Sequence, residues 1–265
     1  KANKADSKYS HIRLWGSIGF IVAALSLGVM IDSYGERALI YALLITQLVI
    51  FFLAFILPKK KINFTKFNKR SIWPILKKRE VIVLLLSCAL MVSSHGLLYN
   101  FYSIFLEDQG YSGATIGLLW SVGVVFEILI FLLMPKILSK FTLKSVLLIS
   151  IAFAVLRFFL IGAYVDSILI LIAAQIMHAA TFGSFHVASI QLIAHFFYNE
   201  HQARGQSLYN SITYGVGGAI GGLGGGYMIE YSGMANTFML SAILPFVGFF
   251  VLLLGLKTKF KAEFK

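Results

Sequence analysis

Charged residues, cysteine and proline are all scarce in this chain of 265 residues. Only 13% of the residues are charged, whereas a soluble globular domain carries about 25%. In water, a chain that is 58% hydrophobic would expose large apolar patches, which soluble monomers rarely do. The low charge therefore excludes a soluble enzyme or binding module, and the high apolar content excludes disorder. The single cysteine, Cys88, excludes a disulfide scaffold.

The sequence is instead rich in long apolar stretches. Each is about 20 residues long, which is enough for a helix to cross a hydrocarbon core of about 30 Å. We predict eight membrane spans, at 13–31, 38–57, 81–105, 113–134, 144–164, 167–195, 206–229 and 236–256. The predicted fold is therefore all-α, with eight transmembrane helices.

Positive charge is distributed unequally between the two sides of these spans. Both termini and the even-numbered connections carry 21 of the 23 Lys and Arg residues, nine of them between Lys59 and Arg79. The opposite side carries only Arg37, and Arg157 lies inside a span. Because cytoplasmic connections are enriched in Lys and Arg, this asymmetry predicts that both termini are cytoplasmic. The net charge of +12 follows from topology, and no nucleic-acid partner is predicted.

An internal repeat links the first span to the seventh. GVMIDSYG, from Gly28 to Gly35, aligns without a gap to GYMIEYSG, from Gly226 to Gly233, at an offset of 198 residues. Parallel repeats of this kind occur in many transporters. The repeat predicts twelve spans in two halves of six, with four further spans upstream in a natural chain of roughly 390 residues.

Several segments resemble one family of permeases. These are HIRLWGSIGFIVA from His11, EDQGYSGATIGLLWSVGVVFEILIF at 107–131, LLISIAFAVLRF at 147–158 and QIMHAATFGSFHVAS at 175–189. They are similar to the phenylpropionate permease family of the major facilitator superfamily, which is grouped with nucleoside–proton and lactose–proton symporters. The resemblance implies that residues 1–57 are the last two helices of an N-terminal half, 58–80 a basic central loop and 81–265 a C-terminal six-helix half.

Two charged residues lie deep within predicted spans. A charge near the membrane centre costs about 2.5–3.5 kcal/mol on insertion scales, so such residues are rare. Glu127 is about 21 Å from the outer face and Arg157 about 20 Å from the inner face, so they differ in depth by about 10 Å. They form either an ion pair that only locks two helices together or part of a transport cavity. A direct salt bridge is not required by these depths.

Polar and aromatic residues cluster in the same spans. His95, Tyr99 and Tyr102 share one helix face, and Gln175, His178 and Thr181 share another. Trp120 precedes Glu127 by seven residues, on the same face. His186 is also intramembrane. Each histidine either makes an interhelical hydrogen bond or takes part in transport. We predict proton coupling by Glu127 and His178, with substrate binding by Arg157, His95, Tyr99, Tyr102, Trp120, Gln175 and Thr181.

The family comparison agrees with part of this prediction. Arg157 and His178 resemble an Arg and a His of the lactose–proton symporters, where they join proton coupling and substrate binding. That group has a Glu one turn after its His, whereas this chain has Thr181. Glu127 matches a Glu of the phenylpropionate-type permeases instead. The resemblance implies proton symport of a small aromatic carboxylate, which the bidentate fork of Arg157 is suited to bind.

Two classes of function follow from the sequence. The first is a secondary transporter in the cell inner or plasma membrane, with a small-molecule substrate, protons and membrane lipid as partners, acting as a monomer. A nucleoside or sugar is the alternative substrate. The second is a non-transport membrane protein, such as an intramembrane hydrolase. Ser94 and His95 are sequence neighbours on different helix faces, which disfavours a nucleophile–base pair. We predict no enzyme activity, no cofactor and no metal site.

Overall fold

The computed structural model describes residues 2–56 and 71–257. Most of the predicted basic central loop (58–80), including Lys59 and Arg70, lies outside the described residues, as do the last eight residues. Helix is the only regular structure in the described ranges. The all-α prediction is therefore confirmed, and the remainder of the central loop contains one short helix, α3 (Trp73–Leu76).

Seven helices are long and apolar enough to cross a membrane in the described part of the chain. The last of these extends from Asn199 to Gly255 over 57 residues. A straight helix of that length would measure roughly 85 Å, far more than a membrane thickness. It is interrupted at Gly233, whose φ of 76° and ψ of 167° are not helical, so it crosses twice. The eight predicted spans therefore correspond to seven helices. The seventh and eighth predicted spans, 206–229 and 236–256, share the last helix, which breaks at Gly233 in the connection between them.

The elements follow one another in a simple order. The long helices of the first part are α1 (Ala2–Tyr34), α2 (Arg37–Ile56), α4 (Arg79–Asp108), α5 (Gly113–Lys140) and α6 (Leu143–Ala163). The next crossing consists of α7 (Ile168–His178), a π-helical segment (Ala179–Ser184) and α8 (Phe185–Phe196). After a 3₁₀ turn (Asn199–His201), the chain forms α9 (Gln202–Asn210), a second π-helical segment (Ser211–Gly217), α10 (Gly218–Ser241) and α11 (Ile243–Gly255).

The two copies of the repeat each end at a glycine with a positive φ. Gly35 has a φ of 74° and Gly233 a φ of 76°. This left-handed region is open to glycine because it has no Cβ. Both glycines interrupt a helix after the same sequence pattern. The correspondence between the first and seventh spans is therefore visible in the backbone as well as in the sequence.

Helix α4 lies at the centre of the molecule, and its side chains supply much of the buried core. Glycines on α10 and on the preceding segment bring that helix very close to α4. A Cβ on Gly217 would lie 2.7 Å from the carbonyl oxygen of Ala89, and one on Gly221 would overlap the carbonyl oxygen of Ser93. Gly217 and Gly221 are four residues apart, a Gly-xxx-Gly spacing that allows tight helix packing in membrane proteins.

Helix α1 packs tightly against α5. A Cβ on Gly28 would overlap the backbone of Gly113. The carboxylate of Asp32 accepts hydrogen bonds from the backbone amides of Gly113 (2.6 Å) and Ala114 (2.8 Å). It thus satisfies two of the amides that are left unpaired at the start of α5, where the helix dipole favours negative charge. Helix α2 packs along α1 and exposes most of its surface.

Candidate functional site

Arg157 lies in α6 and is completely buried. Its Nε donates to the carbonyl oxygen of Ala174 at 2.8 Å, and its Nη2 donates to Oε1 of Gln175 at 3.3 Å. Its Nη1 lies 3.2 Å from Nδ1 of His178 and donates to Oγ1 of Thr181 at 3.3 Å. Within the described ranges, every hydrogen-bond partner of this guanidinium is a neutral group. The positive charge is therefore solvated by dipoles of α7 and the π-helical segment after it, and not by a carboxylate.

The contact with Arg157 fixes the protonation of His178. An arginine has only hydrogen-bond donors, so Nδ1 of His178 must be the acceptor. The ring is then neutral and carries its proton on Nε2. This nitrogen lies 3.9 Å from Oε2 of Glu127. His178 therefore sits between the intramembrane acid and the intramembrane base, with one ring nitrogen facing each.

Glu127 and Arg157 are thus joined through a histidine. Among the side chains of residues 15–56 and 71–257, no carboxylate lies within 4 Å of the guanidinium, which agrees with the separation in depth that the sequence predicts. The acid comes from α5, the base from α6 and the histidine from the end of α7. Three consecutive crossings are therefore needed to bring Glu127, His178 and Arg157 together.

His95 joins the same network from α4. Its Nδ1 lies 3.1 Å from the carbonyl oxygen of Met91, so it must donate there, because a carbonyl can only accept. Its Nε2 faces Oγ1 of Thr181 at 3.4 Å. The Thr181 hydroxyl therefore lies between His95 and Arg157. Ser94, by contrast, points to another helix and donates to the carbonyl oxygen of Ser241, as expected for residues on different faces.

The three other predicted binding residues form an aromatic group beside His95. The ring of Tyr99 stacks on Trp120 with centroids 6.1 Å apart, and Tyr102 meets Trp120 edge to face at 5.4 Å. The indole nitrogen of Trp120 donates to Ser103 at 3.0 Å. All nine predicted site residues therefore belong to one connected cluster, although they come from four different crossings.

The cluster has an accessible side and a sealed side. Tyr99 is 47% exposed and the side chain of Glu127 is 12% exposed, whereas Arg157, Gln175 and Tyr102 are 0% exposed. Sequence periodicity placed Tyr99 and Tyr102 on one face without distinguishing them. The structure separates them because Tyr102 turns into the α4 core and packs near Phe238. A ligand arriving at the open side would meet Glu127 and Tyr99 before the guanidinium.

Two residues of the cluster are not predicted from the sequence. A Cβ on Gly123 would lie 3.0 Å from Oε1 of Gln175 and 3.4 Å from Cδ2 of His178, so this glycine makes room for both side chains. Phe158 packs its ring against His95 at 5.2 Å and lies 5.8 Å from the guanidinium carbon of Arg157. The sequence offers one signal that could have identified Gly123, which is its position one helical turn before Glu127.

A cleft of about 340 Å³ lies between α1, α4 and α5. Trp120 forms part of its wall, together with Asp32, Glu107 and Tyr111. Because Trp120 also stacks on Tyr99, this cleft borders the aromatic side of the cluster. The cleft therefore begins near Asp32, at the start of α5, and extends to the aromatic group of Tyr99, Tyr102 and Trp120.

Repeated apolar helices and a buried polar cluster assembled from several crossings are the features of a multi-pass membrane protein. The chain belongs to the MFS_1 like family, whose sequence profile matches residues 1–240. The predicted family resemblance is therefore confirmed.

Individual relatives agree with this assignment. The chain is 30% identical over 230 residues to a "Probable 3-phenylpropionic acid transporter" of Escherichia coli (strain K12), covering 85% of this chain and 60% of that protein. It is 26% identical to "Nucleoside permease NupG" of the same organism, covering 91% of this chain and 62% of that protein. This chain thus spans about three fifths of the length of these relatives.

One solved structure shares the fold. The crystal structure of nucleoside transporter NupG superposes with a TM-score of 0.76, covering 96% of this chain and 68% of that one at 22% sequence identity. The likeness confirms a helical arrangement of the major facilitator type. At this identity it concerns the fold alone.

Proposed function

We propose that the protein is a secondary active transporter that moves a small aromatic or organic carboxylate together with protons by alternating access. One observation carries the proposal: the buried guanidinium of Arg157 has only neutral partners in the described residues, beside a histidine that faces Glu127. An intramembrane charge of this kind is costly. A carboxylate that binds it bidentately would offset that cost.

The contact between Arg157 and His178 offers a way to couple substrate to protons. While Nη1 of Arg157 donates to Nδ1 of His178, that nitrogen cannot take up a proton. A substrate carboxylate that engages the guanidinium releases Nδ1. His178 can then become doubly protonated, in exchange with Glu127 on its other side. Substrate and proton binding would therefore favour each other, as symport requires.

The aromatic side of the cluster supports a ring-bearing substrate. The stacked rings of Tyr99 and Trp120 present flat apolar surfaces near the accessible side, and aromatic groups pack well against such surfaces. The similarity to a probable 3-phenylpropionic acid transporter supports the same substrate class.

A nucleoside is the second candidate substrate. The amide nitrogen of Gln175 and the hydroxyl of Tyr102 are buried near each other, and within the described part of the chain neither makes a well-formed hydrogen bond. Sugar hydroxyls would provide partners for such groups. The similarity to a nucleoside permease supports this alternative, but a neutral sugar would leave the charge of Arg157 without a counter-ion.

We further propose that the Lys-rich side and both termini face the cytoplasm of an inner or plasma membrane. The unequal distribution of Lys and Arg supports this orientation. The protein would act as a monomer in contact with membrane lipid.

Uptake by the complete natural polypeptide in proteoliposomes tests the function. We expect labelled 3-phenylpropionate to accumulate when the outside is acidified and to equilibrate without accumulation when the proton gradient is collapsed. Excess unlabelled nucleoside should not compete. Competition by nucleoside, together with no uptake of the acid, would favour the second candidate. Accumulation that is independent of the proton gradient would refute proton symport.

The variant Glu127→Gln tests the coupling. We expect it to lose accumulation against a gradient and to keep exchange of internal for external substrate, because a neutral amide mimics the protonated acid. Glu36→Gln is a matched control, since Glu36 is an exposed acid in the connection between α1 and α2 and does not line the cleft, and should behave like the wild type. Normal accumulation by Glu127→Gln would mean that this carboxylate only packs or pairs.

A further inference from the structure

A second histidine, His186, lies two helical turns after His178 in the same crossing. The ring of Phe182 lies between the two imidazole rings and is almost parallel to both. Its centroid is 5.3 Å from that of His178 with an interplanar angle of 13°, and 6.1 Å from that of His186 with an angle of 8°. The three rings therefore form one stack, and the two histidines are separated by about 12 Å of helix.

The π-helical segment makes this alignment possible. Residues four apart in an α-helix are rotated by about 40° around its axis, so three such rings would drift around the helix surface. The stack passes through the segment Ala179–Ser184, whose wider turn reduces that rotation. Segments of this kind occur frequently at functional sites. Phe182 itself is half-buried, as is His186.

His186 has its own polar environment on the side of the stack that lies nearer Arg204. Its Nδ1 is 3.1 Å from the hydroxyl of Tyr214, which belongs to the second π-helical segment, Ser211–Gly217. The ring of Tyr214 meets Tyr209 edge to face at 5.9 Å. Titratable groups on the surrounding elements include Tyr99, Tyr209, Tyr214, Cys88, His95, Glu127, Arg157 and Arg204.

A phenyl ring carries no hydrogen-bonding group and cannot pass a proton to its neighbours. The direct line between His178 and His186 is therefore closed to protons while Phe182 remains stacked. Water entering in place of the ring would connect the two histidines. The arrangement is that of two protonatable sites with a removable apolar barrier between them.

We propose that His186, with Tyr214, is a second proton-binding site, and that Phe182 is the barrier between it and the Glu127–His178 pair. In the transfer, the acid form of Glu127 or the doubly protonated His178 loses one proton to water. The imidazole of His186 takes up that proton and later releases it to water on the Lys-rich side. The inference rests on the proposed function and adds to it the route by which the proton leaves.

Proton permeability without substrate tests the barrier directly. The complete natural polypeptide is reconstituted into vesicles that contain a pH-sensitive dye, and the internal pH is followed after an acid step outside. We expect little proton entry through the wild type. Phe182→Ala should raise it roughly tenfold or more, because water replaces the ring. Phe182→Leu, which keeps apolar bulk, and Phe159→Ala, which removes an exposed ring from α6, should remain tight. A correctly folded Phe182→Ala variant that is no more permeable than wild type would refute the barrier.

The second proton site has a separate test, which also serves if Phe182→Ala does not fold. We expect His186→Gln to slow acid-driven uptake and to leave substrate exchange at equal pH unchanged. Wild-type rates of acid-driven uptake in this variant would refute the role of His186. The permeability assay uses no substrate, so a failure of wild-type vesicles to accumulate aromatic acids would count against the proposed function and not against the barrier.

Discussion

Arg157 makes hydrogen bonds to four other residues in the described part of the chain. It uses all three guanidinium nitrogens at once, toward Ala174, Gln175, His178 and Thr181. Only a planar fork can reach partners in several directions from a fixed position. The residue type is therefore as important as the charge.

The variant Arg157→Lys separates these two properties. It keeps the positive charge and loses the fork, so we expect the apparent KM for the acid to rise roughly ten- to hundredfold, the effect of losing a charge-assisted hydrogen bond. Protein levels should remain near those of the wild type.

An amide analogue of the substrate tests the contact with Arg157 separately. We expect the wild type to bind the amide more weakly than the acid, and this difference in affinity to be much smaller in Arg157→Ala. An equal loss on both backgrounds would show that Arg157 does not contact the carboxylate.

Gly123 controls the space in which Gln175 and His178 lie. We expect Gly123→Ala to lower uptake severalfold, because its Cβ would lie 3.0 Å from Oε1 of Gln175 and would displace this acceptor from Arg157. Initial uptake rates and expression, measured in parallel, would check this. Val125→Ala on the same helix, where the side chain is exposed, is the control. Unchanged uptake by Gly123→Ala would mean that the pocket adjusts without cost.

At the scale of single elements, the closest helix contact is between α4 and α10. Gly217 and Gly221 lie one turn apart, and each faces the backbone of α4. A spacing of four residues between glycines is typical of tight packing between membrane helices, but it does not specify the partner helix. The two π-helical segments, Ala179–Ser184 and Ser211–Gly217, are not signalled by the sequence at all.

Thermal unfolding in detergent tests this contact. We expect Gly221→Ala to lower the Tm, because its Cβ would overlap the carbonyl oxygen of Ser93, and overpacking of this kind costs about 1–3 kcal/mol. Gly224→Ala is the control, because no atom lies within 4 Å of its Cβ and alanine favours helix more than glycine does. A Tm for Gly221→Ala equal to that of the control would show that α4 and α10 can separate freely.

At the scale of the whole molecule, orientation in the membrane follows from the Lys and Arg distribution. The connection between α5 and α6 should be cytoplasmic, and that between α6 and α7 should be external. In a Cys88→Ser background we expect Asp166→Cys to react with a membrane-impermeant maleimide on intact cells. Ser139→Cys should react only after permeabilisation. Both positions are exposed. The opposite labelling pattern would invert the proposed topology.

The sequence by itself determined the helical fold, the number of crossings and which nine polar and aromatic residues to expect in one site, but not Gly123 or Phe158. Long apolar runs and isolated intramembrane charges are local signals, since the membrane penalises every polar group that it buries. Only the tertiary structure decided how those residues meet. It placed His178 between Glu127 and Arg157, buried Tyr102 while leaving Tyr99 exposed, and assigned Gly123 to the cluster. These side-chain positions depend on how helices that are distant in the sequence pack together. Residues from four crossings share one site only because of that packing.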